Sequence, residues 1–468
     1  MNTETSFILN GEPVTVALRP DTTVLDLLRA HLSRTGTKEG CAEGDCGACT
    51  ILFKRHGANG AHPEPANACI MTVAQIEGAE ITTVEGVANG ALSTLQERMA
   101  ENGSSQCGYC TPGIVVALTG LLSRKPDPTE EEIHDALAGN LCRCTGYKPI
   151  VEAVRRAAGS IETAPTELPA LPAFTTTTAT EGSTVTRPEN LDALLQAKAS
   201  HQDAVLLAGG TDLGVPLAGY ETEWPSIIIT GHVPELRRLA TTEDTHEIGA
   251  AVTWEELLHE VADDYPSFAT LIRRFGSTQI RSMGTVGGNI GTASPIGDGP
   301  PSMIALGATI TLQSAERGAR TLPLEAYFLD YRKTELADDE VIVSVTLPRP
   351  TTGQIFRTYK ISKRYDQDIS TVCGAFNLTL EGDMITKACI AYGGMAATPK
   401  RAPEAESAII ERPLNNETAQ LFADALAKDF KPLDDWRGSA KYRMRVAQGL
   451  FARLVAEHSG ERVEVMTL

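Results

Sequence analysis

Eight of the ten cysteines fall within the first 144 residues, at 41, 46, 49, 69, 107, 110, 142 and 144, and only Cys373 and Cys389 lie beyond. What such a cluster does depends on the redox compartment. The opening MNTETSFILNGEPVTV has neither the basic stretch nor the apolar run of a secretory signal, so an intact N-terminus and a cytoplasmic chain are expected. A reducing cytosol argues against disulfides, and clustered thiols in a cytosolic chain usually bind metal. No run of about 18 apolar residues occurs, and no membrane span is expected. The formal net charge of −19 argues against nucleic acid or an anionic membrane as partner, since both are polyanions.

The spacing narrows the metal. Cys41, Cys46 and Cys49 form C-x4-C-x2-C, with Cys69 on a later segment, the plant-type arrangement of four thiolates around a 2Fe–2S cluster. Gly40, Gly44 and Gly47 let the backbone fold tightly there and aim N–H groups at sulfur. The competing reading is a structural zinc site, which prefers two C-x2-C knuckles where this stretch has one. Further on, Cys107-Gly108-Tyr109-Cys110 and Cys142-Arg143-Cys144 give C-x2-C followed by C-x-C. Each pair is expected at a helix N-terminus, where partial positive charge stabilises thiolates. Zinc is again the alternative, and the C-x-C bite is unusual for that ion. Cys373 and Cys389 read as buried core residues.

At 468 residues, 42% hydrophobic and 22% charged, the chain has room for about three soluble domains. Residues 1–85 predict a small ferredoxin-like (β-grasp) α+β domain. Ser6–Leu9 and Val14–Leu18 flank an Asn10-Gly11 hairpin turn, Thr23–Asp26 reads as a capping box opening a helix, and Thr50–Phe53 is strand-like. Residues 86–160 look wholly helical. Thr111 caps a helix with Pro112 at its first position, Thr129–Glu132 is a capping box, and Ile150, Val151 and Val154 recur on a last helix. Residues 161–182, rich in Thr, Ala and Pro, read as a linker. The remainder mixes short β-rich runs with helices in two α+β lobes, 183–348 and 349–468, divided near Pro348-Arg349-Pro350. The fold class expected is therefore multidomain α+β.

Two glycine turns stand out in the first of these lobes. Leu206, Ala208, Gly209, Gly210, Thr211 and Asp212 lie on a strand and the turn that ends it, which can offer N–H groups to a diphosphate. Gly284 to Ile290 is the second, followed by Ser294 to Asp298. Neither is the Rossmann fingerprint, and neither alone identifies a ligand.

The order of a plant-type domain, then a helical domain with Gln106-Cys-Gly-Tyr-Cys-Thr-Pro-Gly and Asn140-Leu-Cys-Arg-Cys-Thr-Gly-Tyr, resembles the xanthine oxidoreductase family of molybdenum hydroxylases. The resemblance implies two 2Fe–2S clusters, with Gln106 and Cys144 approaching the pterin of a molybdenum cofactor. The two glycine turns are similar to the family's FAD lobe, which adds FAD and assigns its contacts. Gly209, Gly210, Thr211 and Asp212 would hold the pyrophosphate region, and Thr285, Gly288, Asn289 and Asp298 the ribityl–phosphate part. Leu206 and Ala208 belong to the same site, Phe275 would pack on the isoalloxazine, and Lys360 would contact the flavin.

The family's catalytic half, with its substrate pocket, has no counterpart here, so no substrate-oxidising residue is expected on this chain. The molybdenum cofactor is then expected on a separate large subunit, in a dimer of heterodimers, as in the family's bacterial members. Electrons would pass from that partner through both clusters to FAD and NAD+, with hypoxanthine and xanthine oxidised to urate. The alternatives are the corresponding part of an aldehyde or N-heterocycle hydroxylase, and a zinc-stabilised assembly protein without flavin. The segment Ser362–Ile369 aligns with the family's charged loop beside the flavin. Gln367 stands where a carboxylate would be, and residues 161–182 hold no cysteine, so a switch from NAD+ to oxygen is not expected.

Overall fold

The computed structural model describes residues 3–55, 62–88, 90–159, 177–180, 183–461 and 463. The chain forms two compact units. One comprises Met1–Leu236, Thr253–Glu255 and Gly276–Thr285, and the other Arg237–Val252, Glu256–Phe275 and Val286–Leu468. The fold is multidomain α+β, as the sequence implied. Among the described residues no helix is long and apolar enough to cross a membrane.

The first unit opens on the expected hairpin. Thr3–Leu9 pairs antiparallel with Glu12–Leu18, and Asn10 and Gly11 turn with φ of 53° and 84°. Only such left-handed turn residues match the twist of the two strands. The sheet continues in the order Glu12–Leu18, Thr3–Leu9, Glu80–Thr82, Thr50–Lys54, Glu64–Asn67. Pairing of Thr3–Leu9 with Glu80–Thr82 is parallel, which gives the β-grasp arrangement. The helix after Thr23 differs from expectation. Thr23 does accept from Asp26 N, but the α-helix covers only Val24–Asp26 and then widens into a π turn, Leu27–His31. That winding turns Leu27 and Leu28 into the core beside Phe7, Ile51 and Ile81.

The stretch after residue 83 is helical, with helices Thr94–Glu101, Thr111–Arg124, Glu130–Leu137 and Lys148–Ala157 packed around Ile114, Leu118, Ile133 and Ile150. The Thr129 capping box forms in full: Glu132 N donates to Thr129 Oγ1, and Thr129 N to Glu132 Oε2. Thr111 is the first helical residue and not the cap. Cys110 holds the cap position without a side-chain bond, since the thiol is turned elsewhere. Of the expected linker 161–182, all but Thr177–Thr180 lies outside the described residues. Those four residues pair with Ser183–Thr186, in a sheet completed by Ser226–Ile229 and Val205–Leu207.

Among its described residues the second unit holds a two-stranded antiparallel sheet, Phe328–Asp330 with Lys333–Thr334, and two larger antiparallel sheets. One runs Leu239–Thr241, Thr245–Gly249, Val341–Pro348, Thr309–Ser314, Gly318–Pro323. The other runs Gln354–Ile361, Val372–Glu381, Met384–Gly393, Lys400–Arg401, with helices Pro403–Ile409, Asn416–Asp429 and Ala440–His458 sharing its core. Phe376 is the hub of that core, with the rings of Tyr359, Tyr392, Phe422 and Phe451 5.8–6.1 Å away, centroid to centroid.

Truncating a buried aromatic removes its transfer energy and leaves a cavity, so Phe376→Ala should destabilise this unit by about 3–5 kcal/mol in urea unfolding. Acid should act through Glu340. Its carboxylate accepts from Arg320 Nε at 2.7 Å and Nη2 at 2.8 Å and from Ala337 N at 3.0 Å. The Arg320 guanidinium holds the carboxyl down at about 2 against an ordinary 4.5. The stabilisation is therefore complete above about pH 4.5 and lost as pH falls through 2. Glu340→Gln should lower the urea midpoint at neutral pH and flatten its decline in that acid range.

Candidate functional site

The plant-type thiols lie on a loop wound by positive φ at Ala42, Gly44 and Gly47 (55°, 81° and 67°). That winding points three backbone amides inward. Cys41 Sγ receives the N–H groups of Cys46 at 3.2 Å, Asp45 at 3.3 Å and Glu43 at 3.5 Å. Cys41 N–H in turn donates to Cys46 Sγ at 3.3 Å. Cys49 and Cys69, both buried, bring their sulfurs within 3.3 Å of each other. The thiols thus meet two by two. In each pair one is drawn towards the thiolate: Cys41 falls to about 4 through the hydrogen bond with Cys46 and the backbone N–H groups, while Cys46 is raised by the same bond. Cys49 is lowered and Cys69 raised in the same way.

The helical-domain thiols also meet in pairs. Cys110 bonds Cys142, and Cys144 bonds Cys107. Burial, then the contact with Cys142, pushes Cys110 up to about 12. At Cys142 burial also acts upward, but the hydrogen bonds from Thr145, whose Oγ1 lies 3.1 Å from Sγ, from Cys110 and from the backbone of Cys144 together outweigh it and the thiol is lowered. Cys110 caps its helix, as the spacing predicted for its pair. Cys142 and Cys144 instead sit in the loop ahead of the helix Lys148–Ala157. Cys107 and Cys144 are exposed, and Gln106, Tyr109 and Leu141 are exposed beside them. Among the described residues no three or more of His, Cys, Asp and Glu gather about a single ion position. One tetrahedral zinc ion needs four ligands around one point, whereas a 2Fe–2S cluster takes two thiolates per iron. Four separate pairs suit two such clusters.

The two thiol loops are joined directly. Leu141 N donates to Cys46 O at 2.9 Å, and Asn140 Nδ2 to Gly47 O at 3.0 Å. Asn140 O accepts from Tyr147 OH, which itself accepts from Cys142 N at 2.7 Å. Gln279 Nε2 donates to Asn140 Oδ1 at 2.8 Å and reaches Thr50 Oγ1 at 3.3 Å. Glycine is required here by proximity. A Cβ on Gly47 would lie 2.0 Å from Gly139 O, and one on Gly113 2.2 Å from Gly47 O.

The residues expected at the flavin divide between the units. In the first, the strand Val205–Leu207 carries half-buried Leu206 and ends in the turn Ala208–Asp212. This turn meets the second glycine loop: a Cβ on Gly209 would stand 1.8 Å from Met283 O, and one on Gly284 3.2 Å from Thr211 Oγ1. Buried Thr285 follows. Among the described residues no acceptor is found for the N–H groups of Gly209, Gly210 and Thr211. Three adjacent N–H groups of this kind are what a diphosphate takes up.

In the second unit Gly288 and Asn289 lie on the helix Val286–Thr292, Gly288 exposed and Asn289 with a buried Oδ1 that has no partner among the described residues. Asp298 and Lys360, expected as separate flavin contacts, hold each other. Lys360 Nζ lies 2.5 Å from Asp298 Oδ2, both side chains are buried, and Ser370 Oγ donates to Asp298 Oδ1. Phe275 is half-buried. Sequence reasoning missed its neighbour Arg274, whose guanidinium lies 4.4 Å from the Tyr365 ring and donates to Lys360 O. The charged loop is itself ordered, since Asp368 Oδ2 accepts from Lys363 N and Arg364 N. Cys373 is fully buried, its thiol pushed up by burial, while Cys389 is only half-buried. A cavity of about 360 Å³ lined by Asp264, Tyr265, Gln354, Arg357 and His458 among others includes none of the residues expected at the flavin.

Four family profiles match the chain in order. They are a 2Fe–2S iron–sulfur cluster binding domain at 7–74, a 2Fe–2S binding domain at 83–155, the FAD binding domain in molybdopterin dehydrogenase at 178–350, and the CO dehydrogenase flavoprotein C-terminal domain at 357–458. Xanthine dehydrogenase 2 of Arabidopsis thaliana is 32% identical over 88% of this chain and 37% of its own length. Xanthine dehydrogenase/oxidase of Gallus gallus is 33% identical over 84% and 35%. The chain corresponds to the iron–sulfur and flavin part of the xanthine dehydrogenase family. It spans little more than a third of the length of these relatives. Among solved structures, carbon monoxide dehydrogenase from Hydrogenophaga pseudoflava matches with a TM-score of 0.55 and 28% identity, over 57% of this chain and 94% of that one. As a member of this family, the chain is an iron–sulfur and FAD electron-transfer module of the molybdenum hydroxylases, and its relatives are oxidoreductases.

Asn140 is the testable joint of the module. Asn140→Ala takes one donor from buried Gly47 O, which keeps Thr50 N and Thr50 Oγ1, and the nearer acceptor from Gln279 Nε2, which keeps Thr50 Oγ1. The two lost hydrogen bonds should cost about 1–3 kcal/mol together, read as a lower urea midpoint and faster proteolysis of the thiol-bearing region.

Proposed function

We propose that the chain is the electron-transfer subunit of a xanthine dehydrogenase, carrying electrons from hypoxanthine and xanthine, oxidised to urate on a partner, to NAD+. The partner is a separate large subunit with the molybdenum cofactor, and the assembly, a dimer of such heterodimers, works in the cytoplasm. Cys41, Cys46, Cys49 and Cys69 would hold one cluster and Cys107, Cys110, Cys142 and Cys144 the other. FAD would be held by Leu206, Ala208, Gly209, Gly210, Thr211, Asp212, Phe275, Thr285, Gly288, Asn289, Asp298 and Lys360. The observation that carries this reading is the meeting of eight thiols in four pairs.

When bound, the clusters supply single-electron carriers, and the flavin supplies the junction between single electrons and hydride. The protein's own residues supply geometry and charge. N–H groups of Glu43, Asp45 and Cys46 offset negative charge on Cys41 Sγ. Exposed Cys107 and Cys144, with Tyr109 and Leu141 each 52% exposed, offer the surface on which a molybdenum-bearing partner would close. Lys360 and Ser370 fix the Asp298 carboxylate, and Arg274 fixes the loop from Lys360 to Tyr365. That loop offers Lys363 and Arg364 to an anionic dinucleotide.

Anaerobic addition of NADH to the purified protein should bleach the visible absorbance of flavin and clusters together, and NAD+ should restore it. Absence of bleaching in a preparation shown to contain FAD and iron would remove NAD+ as the acceptor and leave an aldehyde or N-heterocycle hydroxylase with another acceptor. Because Gln367 stands where the family resemblance places a carboxylate, and residues 161–182 lack cysteine, thiol oxidation of the holoenzyme should leave NAD+ as acceptor. Rapid oxygen reduction that appears only after thiol oxidation would contradict this.

A further inference from the structure

Gln75 lies six residues beyond Cys69 and outside every expected site. Its side-chain amide is used at both ends. Oε1 accepts from Thr72 N at 2.9 Å and Thr72 Oγ1 at 3.3 Å, closing the capping box of the short helix Val73–Gln75. Nε2 donates to Ala208 O at 3.0 Å, 133 residues along the chain. The orientation of the amide is settled by its partners. A backbone N–H can only donate and a backbone carbonyl can only accept, so Oε1 must face Thr72 and Nε2 must face Ala208.

We infer that Gln75 is a positioning residue for the flavin, fixing through Ala208 the peptide that presents the Gly209 N–H to the diphosphate. The inference rests on the reading that the turn Ala208–Asp212 holds FAD. A trans peptide points its carbonyl and its N–H in opposite directions. Binding Ala208 O to Gln75 therefore turns the Gly209 N–H away from Gln75, to the side where no protein acceptor meets it among the described residues. The rest of the turn fits as tightly. A Cβ on Gly210, at φ 74°, would lie 3.2 Å from Gln75 Oε1 and 3.3 Å from Nε2, and one on Gly209 would collide with Met283 O. Without Gln75 the Ala208 peptide is free to rotate, and a peptide flip would put a carbonyl where the diphosphate needs a donor. The same amide steadies Thr72, three residues from the thiol of Cys69, so one side chain ties the turn for the flavin to the loop for the cluster.

Gln75→Glu separates the two ends, because a carboxylate still accepts from Thr72 but repels Ala208 O. Flavin is removed from the whole protein and FAD is titrated back, followed by quenching of its fluorescence, at pH 5 and pH 8. Wild-type affinity should be similar at both. At pH 8 Gln75→Glu should bind at least about tenfold more weakly, the scale of one lost hydrogen bond made worse by charge. At pH 5 the loss should shrink in proportion to the fraction of the introduced carboxyl that is protonated, since only that form regains a donor. Ala208 O and Glu77 favour the proton, whereas the two Thr72 donors and Arg55 and Arg187, which line the same cavity, favour the carboxylate. The electron paramagnetic resonance of the reduced plant-type cluster should match wild type throughout, because the Thr72 contact is kept. Gln75→Met, which loses both contacts, should bind FAD weakly at both pH values without recovery, and it serves as the test if the glutamate variant fails to fold. Wild-type affinity in either variant at pH 8 would overturn the inference. Failure of the wild type itself to take up FAD would instead overturn the flavin reading on which it rests.

Discussion

The side chain of Asn140 is the point on which the thiol-bearing region depends. It stands where two backbones approach closer than any side chain would allow, with Gly47, Gly113 and Gly139 supplying the missing volume. Glycine at such a place is costly in the unfolded chain's entropy, and polar groups buried there are costly unless paired. Asn140 answers the second cost. Its amide donates to Gly47 O and accepts from Gln279, while its backbone carbonyl accepts from the Tyr147 hydroxyl that also receives Cys142 N. One asparagine thus fixes the loop of Cys46 against the loop of Cys142. Pairing of thiols within each loop set needs that fixed frame, since a shift of about 1 Å would exceed the tolerance of a metal–sulfur bond.

A different logic governs the residues expected at the flavin. In the first unit the residues in question supply backbone, and in the second they supply charge. The turn Ala208–Asp212 is held from outside by Gln75 and Met283, leaving its amides available. Lys360 and Asp298 neutralise each other in a buried pair, with Ser370 satisfying the second carboxylate oxygen. Such a pair adds little net stability, because desolvation offsets attraction, but breaking it strands a charge. Its value is fixity: each partner forbids the other a second rotamer.

Local signals in the sequence were reliable where local chemistry decides the outcome. Asn10-Gly11 made its hairpin and Thr129 its capping box. The cysteine spacing could not say which thiol meets which. Cys41 pairs with Cys46 within one loop, whereas Cys49 reaches across to Cys69, and only the closed sheet decides that. Thr72-x-x-Gln75 has the pattern of a capping box, but a local pattern reveals only its near end; the bond to Ala208 O depends on a contact 133 residues away. Gln279 and Arg274 carry no motif at all. The π turn at Leu27–His31 was hidden as well, because its apolar pattern serves an ordinary helix equally well until the core selects the wider winding.

The two units are not consecutive in the chain, which passes between them at residues 236, 252, 255, 275 and 285. The first unit is therefore incomplete until Gly276–Thr285 has been made, and that segment brings Gln279. Thr50 leaves the ribosome 229 residues ahead of the glutamine that contacts it, a delay of about 10–50 s at ordinary synthesis rates. For that interval Asn140, once made, has no Gln279 to hold it. The order of translation thus gives the cell a period in which all eight thiols of the first 144 residues have been made while Asn140 still lacks the support of Gln279.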